Sequence, residues 1–381
     1  MVCEVNGLMP VRAASGANRA RGRHGAGPGG TRPGGARPGT TVLIVVAVVL
    51  AAAGLVLLCV SGVFTSGPRG EKVVVHIPDG APASQIAAIL RQEGLIGSER
   101  LFKLAVRVFG KASSLKSGQY EFARGNSMAS IIERISSGRV MTVKVTIAEG
   151  MTAQQIARLF SQRGLVAEDE MIALSDDPPE QLRADFQFIP EGASLEGYLF
   201  PDTYEFASGV GAARVIRAML KRFEQVAHAA LGAAAETGGP ARAGQLPNGL
   251  SERETLILAS IVEREARIER ERPIIARVFL NRLELPMPLQ SCATVQYALP
   301  APKERLLNED LQIESAYNTY LVAGLPPGPI CNPGLASIQA AIDPEPGDYL
   351  YFVASRDGSH VFSRTYRDHV QAKAGIDRGA R

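Results

Sequence analysis

From Val42 to Val60 the chain reads VLIVVAVVLAAAGLVLLCV, without a single charged residue. A helix crossing ~30 Å of hydrocarbon needs roughly 20 such residues. A cleavable signal peptide has a shorter apolar core, about 7–15 residues, followed by a small-x-small cleavage site. Leu58 ahead of Cys59 also argues against a lipoprotein site, which takes a small residue there. The stretch therefore predicts one membrane-spanning helix, placed at 42–62. Arg12, Arg19, Arg21, Arg23, Arg32 and Arg37 precede it, against Glu4 as the tail's acidic residue. Such positive charge stays cytoplasmic, so the N-terminus is expected inside and everything from about Ser61 onward outside. The Gly/Pro/Arg-rich tail, residues 1–41, cannot bury a core and is expected to be disordered.

The formal net charge of +3 is concentrated in that tail, and the remainder is close to neutral. A body of this kind does not grip nucleic acid, so no nucleic-acid partner is expected. Cys3 and Cys59 fall in the tail and the apolar stretch, which leaves Cys292 and Cys331 as a bridge that the spacing neither requires nor forbids.

Beyond the anchor, two segments match at an offset of 70 residues. Val75, Ile77, Gly80, Gln85, Ile86, Ala87, Gly94 and Leu95 recur as Val145, Ile147, Gly150, Gln155, Ile156, Ala157, Gly164 and Leu165. Each segment reads as a short strand, a turn, and an amphipathic helix closed by a glycine C-cap. SGQYEFARGNSMASIIERISSG between them offers another strand and a helix ending near Gly138. Residues 71–185 are thus expected to form a small α+β module of duplicated β-turn-α units. The pattern resembles LysM-like modules that hold peptidoglycan. The Ala/Gly/Pro-rich stretch 229–249 reads as an inserted loop or a frayed helix end.

Ser251 followed by Glu254 is a capping-box signature. It opens a helix reading SERETLILASIVEREARIERE, whose first turns are apolar on nearly every face and so must be buried. The helix carries Glu263 and Glu265, two residues apart and pointing to different sides. Glu265 lies over Leu258, Ile261, Val262 and Ile268, surroundings that disfavour a charged carboxyl and suit a general acid. Glu263 can instead pair with Arg267 at i+4. The packing favours Glu265, with Glu263 as second choice. Further on, AYNTYLVAGLPPGPICNPG is dense in Tyr and Asn, which stack on sugar rings and hydrogen-bond to hydroxyls. YLYFVASRDGSHVFSRTYRDH reads as a hairpin turning at Asp357-Gly358.

Other chemistries lack their patterns. The five histidines show no metal-ligand spacing, so no metal site is expected. There is no G-x-S-x-G elbow and no P-loop or dinucleotide-binding glycine pattern. Cys331 with His360 has no supporting motif as a thiol nucleophile pair.

Five segments together resemble the endolytic murein transglycosylases of the YceG-like (MltG) family. They are LEGYLFPDTYEF (195–206), ASIVERE (259–265), ARVFLNRL (276–283), PLQSCATVQYAL (288–299) and SAYNTYLVAGLPPGPICNPG (315–334), followed by YLYFV and HVFSRTYRDH. The resemblance implies a single-pass inner-membrane protein whose LysM-like module precedes an α+β YceG-like catalytic domain, here 186–381. It implies no cofactor, peptidoglycan glycan strands as substrate, and peptidoglycan synthases or penicillin-binding proteins as partners. The family's catalytic residue is the second glutamate of its A-S-I-[IV]-E-x-E motif, here Glu265. Candidates for lining the cleft are Glu196, Asp202, Gln290, Tyr317, Asn318 and His360. Cys292-Ala293 departs from the Asp-Pro of many relatives.

A hydrolytic glycosidase generally needs two carboxylates, whereas a lytic transglycosylase works with one. The implied reaction protonates the oxygen bridging N-acetylmuramic acid and N-acetylglucosamine. The muramic 6-hydroxyl then closes onto the anomeric carbon, leaving a 1,6-anhydro end and terminating strand elongation. The alternatives are a wall-binding scaffold with an inert glutamate, and a muramidase that adds water to the same bond.

Overall fold

The computed structural model describes residues 43, 45–51, 54, 70–237 and 245–378. The chain divides into two compact units, Met1–Leu57 and Leu58–Arg381. The described residues of the first unit are helical, and Leu43, Val45, Val46, Val48, Val49 and Leu50 are all exposed. Among the described residues no helix is long and apolar enough to cross a membrane. The tail 1–41, and most of the span expected at 42–62, lie outside them.

The second unit is α+β and begins with β1 (Lys72–Ile77), α1 (Ala83–Gln92), α2 (Glu99–Val108), β2 (Gly118–Ala123) and α3 (Met128–Ser137). β1 and β2 pair antiparallel, with Val75 opposite Tyr120 and Val73 opposite Phe122. Alternate strand residues and the apolar faces of the three helices close a separate core around Tyr120, Phe102 and Ile131. Gly94 and Gly138 take φ of 68° and 72°, the left-handed conformation that ends α1 and α3 as expected.

The second copy of the repeat follows as β3 (Thr142–Thr146), α4 (Ala153–Gln162), α5 (Glu168–Asp176), α6 (Glu180–Asp185) and β4 (Thr203–Ala207). β3 pairs with β4 in the corresponding register, Val145 opposite Tyr204 and Val143 opposite Phe206. The two partner strands share the run Tyr-Glu-Phe-Ala, at 120–123 and 204–207. The duplication therefore extends beyond the β-turn-α units visible as a sequence repeat. This copy has no core of its own. Val145, Ile147, Ile156 and Phe160 pack in one cluster with Leu256, Phe279 and Ile338. The module expected over 71–185 thus spans both cores, and residues 142–185 pack with the larger one.

That larger core is completed by α7 (Ala212–Phe223), α8 (Ala229–Thr237), α9 (Glu252–Glu265), α10 (Arg272–Glu284), α11 (Cys292–Ala298), α12 (Leu335–Ile342), the hairpin β5 (Tyr351–Ala354) and β6 (His360–Ser363), and α13 (Tyr366–Arg378). A π turn at Glu224–His228 joins α7 to α8. Of the stretch 229–249, expected as an inserted loop or a frayed helix end, Ala229–Thr237 is helical, where alanine's high helix propensity prevails.

Helix α9 has both hydrogen bonds of the expected capping box, and Thr255 through Val262 are buried. It ends earlier than the sequence suggests. Ala266 is extended (φ −72°, ψ 126°), so Glu265 is the last helical residue. Arg267 consequently does not stand one turn above Glu263. The ion pair expected there is made instead with Arg272, 3.4 Å away. Both body cysteines are free, and buried Cys331 donates its thiol to the Ser260 carbonyl at 3.3 Å.

Candidate active site

The end of α9 presents Glu265 to the start of α11. Its Oε1 accepts from the Ser291 hydroxyl at 2.5 Å and from the Ala293 N–H at 3.4 Å. Among the described residues Oε2 has no hydrogen-bond partner. Of the aliphatic residues expected beneath Glu265, Leu258, Ile261 and Val262 are fully buried in the core, whereas Ile268 lies beyond the helix end and is only partly buried. The carboxylate tip, however, meets a hydroxyl and a backbone N–H, because the helix stops and the side chain reaches past that layer.

Ser291 is held from several directions. Its N–H donates to Thr319 Oγ1 at 3.0 Å, and its carbonyl accepts from the Thr294 hydroxyl at 2.8 Å. The Thr294 and Thr319 hydroxyls lie 2.8 Å apart. Gln290 enters this turn at φ 51°, a left-handed conformation unusual for a non-glycine residue, and its N–H is received by the Thr319 carbonyl at 3.0 Å. Arg282 is buried and donates to the carbonyls of Leu289 at 2.6 Å and Leu350 at 2.7 Å. Its guanidinium lies over the Tyr351 ring, 5.3 Å from the centroid. Burial lowers its pKa, and the nearby Tyr351, Tyr320 and Glu265 act against that shift. Asn318 is fully buried, donating to the carbonyls of Leu311 and Ile313 at 3.0 and 2.9 Å. It shapes the loop that presents Thr319 and Tyr320. The Tyr320 hydroxyl lies 3.2 Å from the Cys292 thiol, whose pKa is raised first by burial.

Glu263 faces another way. It is 7% exposed, accepts the Gly334 N–H at 3.0 Å, and pairs with Arg272. Glu196 is also buried. It accepts from the Ala153 N–H at the start of α4 at 3.1 Å, from the Asn332 amide at 2.9 Å, and weakly from the Tyr297 hydroxyl at 3.5 Å. Burial pushes its pKa up to about 8, with the Ala153 and Gly197 N–H groups and the Tyr297 hydroxyl partly offsetting the rise. Beside it, Gly197 has φ 90°, and a Cβ there would lie 2.5 Å from Pro329. Only glycine lets the 195–200 loop pack this closely on the proline turn.

Of the other expected cleft residues, Tyr317 joins Glu196 through Tyr297, the two rings lying 4.9 Å apart. Gln290 adjoins Glu265 through Ser291. Asp202 is engaged by Arg222 at 2.6 Å and by the Thr203 N–H at 2.7 Å. His360 is buried against Glu271, with Nδ1 at 2.7 Å, tying the β5–β6 hairpin to the turn before α10. Sequence reasoning missed Ser291, Thr294, Thr319, Tyr320 and Arg282. All five stand inside the motifs it quoted, but hydroxyls and a buried arginine carry no periodic signal of their own. No group of His, Cys, Asp or Glu among the described residues is arranged to hold a metal ion.

A model of the YceG-like family matches residues 75–375. The chain therefore belongs to the YceG-like family. It is 36% identical over 316 residues to an endolytic murein transglycosylase of Bacillus subtilis, covering 79% of this chain and 84% of the relative. A Streptococcus pneumoniae endolytic murein transglycosylase is 30% identical over 325 residues, and the match covers 78% of this chain but 57% of that longer protein. A crystal structure of a yceG-like protein from Listeria monocytogenes superposes with a TM-score of 0.52 at 34% identity, over 80% of this chain and 99% of that one.

Proposed function

We infer that the chain is a lytic transglycosylase that cleaves peptidoglycan glycan strands internally. The family match across nearly the whole body, with an endolytic murein transglycosylase at 36% identity, carries this conclusion.

The mechanism we read from the site uses Glu265. One carboxylate oxygen is anchored by Ser291 and Ala293, while the other is left for the substrate. As an acid, Glu265 gives its proton to the oxygen bridging N-acetylmuramic acid and N-acetylglucosamine, and the C1–O bond breaks. As a carboxylate it then takes the proton of the muramic 6-hydroxyl, whose oxygen closes onto C1. The products are a 1,6-anhydro end and a free 4-hydroxyl, with no water consumed. Inverting and retaining hydrolases need a second, available carboxylate. Glu263 is occupied by Arg272 and the Gly334 N–H, and Glu196 is buried beneath three donors. That arrangement supports cyclisation over hydrolysis. Digestion of purified strands by the wild type should yield anhydro ends by mass. Ends heavier by one water would replace this reading with a muramidase, and no cleavage would favour a scaffold.

Residues 42–62 are proposed as a single membrane span, supported by the charge-free apolar run and by the exposed apolar side chains of its described part. The arginines before it support a cytoplasmic N-terminus, with the body outside the inner membrane. The separate core over 71–140 is proposed as the LysM-like, wall-holding part, and peptidoglycan synthases as partners at the site of strand growth.

A further inference from the structure

Helix α2 lays Phe102, Ala105 and Val106 into the first core and turns another side outward. On that outer side Leu104 is 46% exposed and Val108 58%, and Phe109, just past the helix end, is 38% exposed. Arg100, Leu104 and Val108 succeed one another at i+4, and Lys103 and Arg107 run alongside at the same spacing. Among the described residues the side chains of Arg100, Lys103 and Arg107 have no ion-pair or hydrogen-bond partner. Glu99, in the first turn, is the acidic residue of the helix.

The second copy of the repeat has no such face. Its helix in the corresponding place, α5, carries Glu168, Asp169, Glu170 and Asp176, no lysine or arginine, and no exposed large apolar side chain. The contrast extends along the chain. Residues 71–141 hold 10 Lys and Arg against 6 Asp and Glu, whereas residues 142–381 hold 24 against 31. The first core is thus the cationic part of a body that is otherwise acidic. Apolar side chains beside unpaired cations fit an anionic bilayer surface, where the former reach the acyl boundary and the latter stay among the headgroups. With 42–62 as the span, the linker 63–70 leads to the first core and reaches at most about 26–29 Å when fully extended. So short a tether gives a high effective concentration, and a weak docking face then suffices.

We propose that the outer face of α2 docks on the anionic lipid surface of the membrane that anchors the chain. This rests on the reading of 42–62 as a span. It makes the first core a foot on the bilayer rather than a domain hanging from a free tether.

The chain contains no tryptophan, so Val108→Trp gives the full-length protein a single fluorescent reporter on this face. In vesicles of phosphatidylcholine with phosphatidylglycerol its emission should shift to the blue and be quenched by lipids brominated on the acyl chains. In phosphatidylcholine alone both effects should be largely lost. Replacing Arg100, Lys103 and Arg107 by Gln should weaken docking roughly a hundredfold, at about fivefold per cation, and return the emission to its value in neutral vesicles. Hydrogen exchange of the unmodified chain over Glu99–Val108 should be slower in the anionic vesicles, a readout that does not depend on the substituted residue. Equal emission and equal exchange in both kinds of vesicle overturn the proposal. So does a shift produced by peptidoglycan fragments and not by lipid, which would make the face a wall-binding one. Flotation with neutral vesicles reads the span separately. A chain that fails to float has no span, while flotation with anionic vesicles alone, lost in the Gln variant, would still uphold the docking face.

Discussion

The two copies of the strand–helix repeat begin alike and end in different places. In both, a valine of the first strand faces the tyrosine of a Tyr-Glu-Phe-Ala partner strand, and a lysine–glutamate pair bridges the strands outside. The first copy encloses its own core. Its helix α1 starts after Pro82 with no side-chain cap, and its turn contacts nothing catalytic. The second copy spends the same positions on the site. Its α4 starts in a Thr152–Gln155 capping box, and the Ala153 N–H is received by Glu196. Gly150 donates to the Asn332 carbonyl at 2.9 Å and accepts from Arg264, the residue before the catalytic candidate, at 3.3 Å. A local motif sets how a segment folds, and its neighbours decide what it serves.

The largest effect that could break this contrast is at Glu265. Glu265→Gln should lower strand cleavage by about a thousandfold or more, while circular dichroism shows both copies still folded. Retained cleavage would move the chemistry away from the second copy altogether.

Ile86 and Ile156 occupy the same position in the two copies and are both fully buried. Replacing either by Ala should cost ~2–5 kcal/mol, but in different cores. Ile156→Ala should lower the melting temperature of the unit containing the site and reduce cleavage with it. Ile86→Ala should weaken hydrogen-exchange protection over 72–137 and leave cleavage of soluble strands within about twofold. A common loss of protection in both would mean that the two cores unfold as one.

Ser291→Ala removes a hydroxyl donor from the Glu265 carboxylate. A hydrogen bond to a charged group is worth about 1.5–3 kcal/mol, so kcat should fall roughly ten- to a hundredfold, with little change in KM. Ser291→Thr should recover most of it. Equal losses in kcat from both variants would show that the serine acts through packing alone.

A graded effect, spread over several pH units, sharpens what Glu196 does for α4. Its folded pKa of about 8 lies above the reference value of 4.5, so between those values the folded state holds more protons than the unfolded one. Stability should therefore fall as pH rises from about 4.5 to 8, by up to about 1.4 kcal/mol per unit. Glu196→Gln should flatten that slope in urea unfolding across the same window. A slope identical to the wild type's would mean that Glu196 ionises freely where it stands.

Much of this was legible before any coordinates. The charge-free run, the capping box at Ser251, the closing glycines at 94, 138 and 164, and the hairpin around Gly358 are local features, each set by residues a few positions apart. That Glu265 and Glu263 meet different surroundings was legible too, because helical geometry places the two on different sides. The details beyond it required packing. Arg267 looked like the partner of Glu263 only while the helix was assumed to continue, and the turn at Ala266 gave that role to Arg272.

What the sequence determined alone was the repertoire of elements and the stretch of α9 that carries the carboxylates, since period, caps and turn residues act within a turn or two. The tertiary structure decided which copy of the repeat joins the larger core, and that Ser291, Thr319 and Arg282 converge on Glu265 from 17 to 54 residues away along the chain. Those choices depend on burial and on satisfying buried polar groups across long loops. No local window contains both partners of such a contact.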